Sequence, residues 1–325
     1  MNLHEDQELF RDAIIATSQQ KMIREIYVEK DYWVTYILSH IYNNEIGKEV
    51  VFKGGTALSK CFNIIERFSE DIDLIILKNK DETGNQLKNK LKKISKHISK
   101  VLPETDIEGI THKVGVIRKT AHSYPHIFDG EFGQVRDIII VEATCLGNSE
   151  PYINVKINSF IYEMLSNNKQ QDIIDKYNMM PFEILTLSPK RTLCEKIMSL
   201  VRFSQTEDAI NDLKNKIRHI YDIHLILKNN NLNNFFFSNE FENMLVQVAN
   251  DDIMSFKNNN NWLSNHPSSA IIFSDRTNIW KKIRSTYTGS FSELVFGELP
   301  LETDIFRTLE TIALRLNSIE WTIKI

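Results

Sequence analysis

The apolar positions change their period along the chain, and the changes divide it. In the first 45 residues Leu9, Ala13 and Ile14, then Trp33, Tyr36, Ile37, His40 and Ile41, recur at helical spacing and predict two helices. A short run, Val50-Val51-Phe52, reads as a buried strand that meets Gly54-Gly55-Thr56. Helical spacing resumes at Leu58, Phe62 and Ile65, and a second strand is predicted from Ile72 to Leu77. Residues 86–101 form an amphipathic pattern, with Leu87, Leu91, Ile94 and Ile98 on one face and Lys88, Lys92, Lys93, Lys96 and Lys100 elsewhere. Further strands are predicted at Val114–Ile117, Ile138–Ala143 and Ile184–Leu187. After Pro189 the pattern is helical, over 190–203, 208–228, 276–288 and 302–317, with asparagine runs at 229–231, 233–234 and 258–261 as polar punctuation. The expectation is an α/β domain over 1–187 and an α-helical domain over 188–325.

Length agrees with two domains, since 325 residues exceed one domain of roughly 100–200 residues. An apolar fraction of 42% with 25% charged residues describes a folded globular chain and excludes wholesale disorder. No apolar run approaches the roughly 18 residues that a bilayer span needs, and the acidic start, Met1 to Asp6, is not a secretory signal. Cys61, Cys145 and Cys194 form no CxxC pair, so neither a disulfide framework nor a zinc site is expected, and the nine histidines have no metal-ligand spacing. A reduced, cytoplasmic protein is the expectation, with no membrane partner. With 39 Lys and Arg against 43 Asp and Glu, any basic surface must be local.

The densest chemistry lies in Phe52-Lys53-Gly54-Gly55-Thr56 and Arg67-Phe68-Ser69-Glu70-Asp71-Ile72-Asp73-Leu74. Side chains alternate along a strand, so Ser69, Asp71 and Asp73 share one face while Ile72 and Leu74 face the core. Two carboxylates so placed repel each other unless a cation sits between them, and Mg2+ suits them because it takes oxygen ligands and keeps phosphate and water in its shell. Gly54 and Gly55 carry no Cβ, so backbone amides can approach a phosphate, and Thr56 would open a helix whose first N–H groups favour anions. Metal and phosphate sites side by side are the equipment of phosphoryl or nucleotidyl transfer.

Gly-Gly-Thr followed by Asp-x-Asp resembles the signature of the polymerase-β-like nucleotidyltransferase superfamily. The fuller string, Lys53 to Lys60 with Arg67 to Leu74, is similar to the AbiEii/AbiGii toxin family within it. Glu29-Lys30-Asp31-Tyr32-Trp33, Pro189 to Lys196, and Arg218-His219-Ile220-Tyr221-Asp222-Ile223 are similar to that family too, in order over about residues 10–228. The 14 residues between Thr56 and Asp71 exceed the general superfamily spacing slightly and fit this family. The resemblance implies a polymerase-β-like α/β domain with a mixed sheet, followed by a helical domain, with the active site in the cleft between them. It implies an Mg2+-dependent toxin that moves a nucleotide from an NTP to an acceptor, tRNA in related toxins, under control of a separately encoded antitoxin.

By that resemblance Asp71 and Asp73 would hold Mg2+, and Gly54, Gly55, Thr56 and Ser69 would contact the nucleotide. Lys196 would bind nucleotide phosphate and Asp222 would be an active-site aspartate; the bland alternatives are a surface lysine beside Glu195 and a helical salt bridge from Asp222 to Arg218. Glu142, acidic within an apolar strand, is either a third metal ligand or a strand-edge glutamate facing solvent. Lys190 and Arg218 are weaker phosphate candidates. Lys30 and Asp31 belong to a helix whose aromatics pack on the sheet, yet both could reach the site. The lysine helix could track an RNA backbone. Two other functions stay open: nucleotidylation of a protein side chain, and nucleotide binding without turnover.

Overall fold

The computed structural model describes every residue except 70, 80, 130–135, 256–259, 324 and 325. The described chain forms two compact units, one of residues 1–63 and 68–186, the other of residues 64–67 and 187–325. The chain therefore leaves the first unit at 64–67, returns, and leaves again after Thr186; a single boundary at 187 does not provide the first excursion.

The first unit is built on a seven-stranded mixed sheet. Its strands are β1 (Val50–Lys53), β2 (Ile72–Ile76), β3 (Glu104–Thr105), β4 (Ile117–His122), β5 (Ile139–Thr144), β6 (Tyr152–Ile157) and β7 (Phe182–Leu187). Their order across the sheet is β3-β4-β5-β2-β1-β7-β6. β1 runs antiparallel to β2 and parallel to β7, β2 is parallel to β5, and β4 is antiparallel to β5 and to β3. The unit's helices are α1 (Gln7–Lys21), α2 (Glu25–Tyr42), α3 (Gly54–Lys60), α4 (Gly84–Ile98), α5 (Phe160–Asn167) and α6 (Gln171–Lys176). Ile72, Leu74 and Ile76 of β2 join Phe52 of β1, Val141 of β5, Ile37 and Ile41 of α2, and Leu91, Ile94 and Ile98 of α4 in one core. By alternation Asp73 projects from the opposite face of the sheet.

Local chemistry accounts for the helix starts. Asp6 caps α1 by accepting from the Leu9 amide, and Met22, in the left-handed region at φ 54°, ends it. Thr83 and Gln86 form a reciprocal capping box on α4. Ser188 caps the next helix, whose first residue is Pro189, where a missing N–H costs nothing.

That helix, α7 (Pro189–Phe203), opens the second unit. It is followed by α8 (Ala209–Asn215), α9 (Ile217–Lys228), α10 (Asn230–Phe236), α11 (Asn239–Ser255), α12 (Ile271–Ser274), α13 (Arg276–Thr288) and α14 (Glu302–Asn317). Leu193, Ile197 and Leu200 of α7 are fully buried, as their spacing predicts. Among the described residues no helix is long and apolar enough to cross a membrane.

Several elements differ from expectation. The strand expected at Val114–Ile117 lies at Ile117–His122, and Val114 is exposed. The expected helix over 208–228 is two, broken at Lys216. Gly54 and Gly55 belong to the first turn of α3, which stops at Lys60, so Phe62 and Ile65 lie beyond it. Asn229 caps α10, and Asn230–Asn234 are helical rather than connecting. Of the later run, Asn258 and Asn259 lie outside the described residues.

Candidate active site

Four charged side chains share one row across the sheet. Cα register pairs Lys53 of β1 with Asp73 of β2, Asp73 with Glu142 of β5, and Glu142 with Lys119 of β4. Laterally paired residues project from the same face, so the row reads Lys–Asp–Glu–Lys, with Asp71 two residues before Asp73 on that face. Burial pushes the Asp73 carboxyl up to about 7, and the negative charges of Asp71 and Glu142 add to the shift; Lys53 and Lys119 oppose it. Three acids, Asp71, Asp73 and Glu142, thus crowd one face beside Lys53 and Lys119.

Glu142 is not at a sheet edge, since β5 lies between β4 and β2. Its carboxylate is paired with Lys119 at 3.2 Å, with about a third of each side chain exposed. Arg136 Nη1 lies 3.5 Å from Asp71 Oδ1. Among the described residues no three His, Cys, Asp or Glu side chains converge as a ready-made metal cage. The donor set that fits a cation is the Asp71–Asp73 pair, with other ligands coming from solvent or substrate.

The glycine turn is tied to these carboxylates. Gly54 has φ +85°, and a Cβ there would lie 2.3 Å from Asp73 Oδ2, so both the backbone and the adjacent carboxylate require glycine. Thr56 is buried; its hydroxyl donates to the Asp71 carbonyl at 2.7 Å and lies 3.0 Å from Ser69 Oγ. The Thr56 and Ser69 side chains therefore fix the backbone that presents Asp71. Lys53, Lys119 and Arg136 were not identified from the sequence. Lys53 stands directly before Gly54-Gly55, but Lys119 fell outside the expected strand.

The second unit holds a separate charged group. Asp222 is fully buried on α9; its Oδ1 accepts from Arg67 Nε and its Oδ2 from Arg67 Nη2, both at 2.7 Å, and Lys196 Nζ of α7 lies 2.8 Å from Oδ2. Burial alone would raise the Asp222 carboxyl, but Arg67 and Lys196 outweigh it and hold the group well below the usual carboxylate range. Asp222 thus pairs with Arg67 and Lys196, where the helical-bridge alternative required Arg218. Lys196 is a buried lysine, 6% exposed, and Glu195 pairs instead with Arg191. Lys190 pairs with Glu240 at 2.9 Å. Burial and the cations Arg218, Lys196 and Arg202 press the Lys216 amine down, and burial with Lys196 and Lys216 does the same to His219. The group is rich in cations. Sequence reading missed Arg67, although it stands four residues before Asp71 in the same motif.

Lys30 and Asp31, which were expected to be able to reach the site, are buried within α2, as is Glu29 before them. Each is bonded to a different part of the first unit.

No curated protein is matched. Among solved structures, MenT4, a nucleotidyltransferase toxin from Mycobacterium tuberculosis H37Rv, is matched with a TM-score of 0.46 and 14% identity, over 94% of this chain and 98% of that chain. At that identity and score the likeness adds nothing to the assignment. The family model of the nucleotidyl transferase AbiEii toxin, type IV toxin–antitoxin system, matches residues 36–310, most of the chain and both charged groups. The chain belongs to the AbiEii nucleotidyltransferase toxin family.

Proposed function

We propose that this toxin transfers a nucleoside monophosphate from an NTP to tRNA at a site where Asp71 and Asp73 hold Mg2+, and that a separately encoded antitoxin restrains it. The observation that carries the reading is the crowding of Asp71, Asp73 and Glu142 on one sheet face, with Asp73 pushed up to about 7 by burial and by its acidic neighbours. A divalent cation relieves that repulsion. Glu142 is a third ligand only if its pairing with Lys119 opens. When bound, the ion neutralises triphosphate charge and lowers the pKa of the acceptor hydroxyl.

The chain's own groups divide the remaining work. Gly54 and Gly55 allow the first turn of α3 to lie against the carboxylates and the phosphates, and Thr56 and Ser69 keep Asp71 in place. In the second unit, Lys196 is the group read as a nucleotide-phosphate ligand, and it shares the buried Asp222 carboxylate with Arg67. The acceptor hydroxyl gives up its proton to solvent as its oxygen bonds to the α-phosphorus, the bond from that phosphorus to the α–β bridging oxygen breaks, and pyrophosphate leaves.

An RNA acceptor is supported by α4. Its 15 residues contain no acid, and Lys88, Lys92 and Lys96 are exposed. Four-residue steps on a helix place those lysines about 6 Å apart along its axis, a stripe of positive charge suited to a phosphate backbone.

The test is label transfer: purified protein, total bacterial tRNA and Mg2+ with each α-labelled NTP, beside an Asp71→Ala/Asp73→Ala control. Label on tRNA that disappears in the control is the expected result. Label on protein alone replaces the acceptor with a protein side chain. Mg2+-dependent NTP binding with no label anywhere would sink the transferase reading for this chain.

A further inference from the structure

Three successive charged residues of α2 are withdrawn from solvent: Glu29 is 1% exposed, Lys30 0% and Asp31 5%. Buried charges carry a desolvation cost of several kcal/mol each unless paired, so their partners identify what they do. Successive helical residues point about 100° apart, and these three accordingly bind three different segments. Glu29 accepts from the amides of Ile127 at 2.7 Å and Phe128 at 3.3 Å. Lys30 Nζ donates to the carbonyl of Arg136. Asp31 pairs through Oδ1 with Lys60 Nζ at 2.5 Å and accepts the Phe160 amide on Oδ2 at 2.8 Å.

Two of these bonds lead to Asp71. Arg136, whose backbone Lys30 holds, places its guanidinium 3.5 Å from Asp71 Oδ1. Lys60, which Asp31 holds, is the last residue of α3, and Thr56 of that same short helix donates to the Asp71 carbonyl. One route therefore reaches the Asp71 side chain and the other its backbone. The family match begins at residue 36, after this trio.

We propose that Lys30 and Asp31 are positioning residues for the metal site, fixing Asp71 through Arg136 and through Lys60–α3–Thr56 respectively, with Glu29 anchoring residues 127–128. The inference rests on the reading of Asp71 as a metal ligand. A residue that orients a ligand is felt in metal affinity even where the fold survives its loss.

The experiment uses the full chain and Mn2+ as the probe, with free Mn2+ measured by electron paramagnetic resonance and folding followed by thermal unfolding. Lys30→Met and Arg136→Ala are compared with wild type and with Asp71→Ala. Arg136 is partly exposed, so its variant keeps the test alive should Lys30→Met fail to fold. The expected result is Mn2+ binding about tenfold weaker in the folded variants, the scale on which orienting residues act on metal affinity. A weaker interaction in Arg136→Ala, at unchanged melting temperature, separates positioning from general support of the fold. Wild-type Mn2+ affinity in the folded variants, with binding lost in Asp71→Ala, overturns the proposal and leaves the metal site standing. Wild-type affinity in Asp71→Ala overturns the underlying reading as well.

Discussion

Asp73 occupies a position that folding alone disfavours. Its carboxyl, buried and beside two acids, has a pKa raised from 3.8 to about 7. A raised carboxyl pKa means that the native state keeps a proton the unfolded chain has released, so the metal-free protein loses stability as pH rises from about 4 to about 7. Above that range the charged carboxylate is a net cost. Asp73→Asn removes the charge at nearly constant shape. In EDTA at pH 8 the variant should be more stable than wild type, by about 1–3 kcal/mol on the linkage between pKa and stability. Divalent cation should then raise the melting temperature of wild type and leave Asp73→Asn unmoved, because only binding to the native state stabilises it. Thermal unfolding with and without Mg2+ decides this; a less stable Asp73→Asn in EDTA would show that the carboxylate serves the fold. The placement of Asp71 and Asp73 on one face was legible, since strand alternation depends on neighbours two residues apart. Arg67 was not, because its partner Asp222 is 155 residues away and periodicity carries no information on such pairs.

At the scale of elements, legibility followed the strength of the local pattern. Helix α4 was read closely because one apolar face marks it, while the Thr83–Gln86 capping box that sets its start at Gly84 was not read. Strand β4 was displaced because Val114 and Val116 look like strand residues yet lie exposed before it, while its buried residues include Thr120 and His122. Strand β6 escaped notice since most of Tyr152–Ile157 is exposed and offers no alternation. The lysines of α4 yield a second prediction. A Lys88→Gln/Lys92→Gln/Lys96→Gln variant keeps the buried face intact, so it should fold normally. If each lysine neutralises one phosphate, tRNA binding should lose about 2–3 from its log–log salt slope. Binding of the NTP alone should be unchanged. Filter-binding titrations at several salt concentrations measure both, and an unaltered slope would remove α4 from the RNA-binding surface.

For the whole chain, the change of pattern at Pro189 was legible because a strand ends there and a proline-led, Ser188-capped helix begins. The excursion at residues 64–67 was not, since four residues bring no change of composition or period. Yet those residues tie into the second unit at two places. Arg67 forms an isolated bridge with Val295, and the carbonyl of Glu66 accepts from the amides of Phe296 and Gly297 at 3.0 and 3.2 Å. Arg67 also supplies two hydrogen bonds to the buried Asp222 carboxylate, one to each oxygen, beside the contact from Lys196. A fragment of residues 188–325 would therefore look complete by sequence while lacking these bonds. Removing one partner of a buried ion pair costs about 3–5 kcal/mol, a large fraction of the stability of a domain this size. The fragment should unfold at markedly lower urea than the same helices within the full chain, followed by far-ultraviolet circular dichroism. Arg67→Met in the full chain should lower the midpoint in the same direction. Equal midpoints for fragment and full chain would mean that the helical unit stands without residues 64–67, and that Arg67 is held there for the nucleotide rather than for the fold.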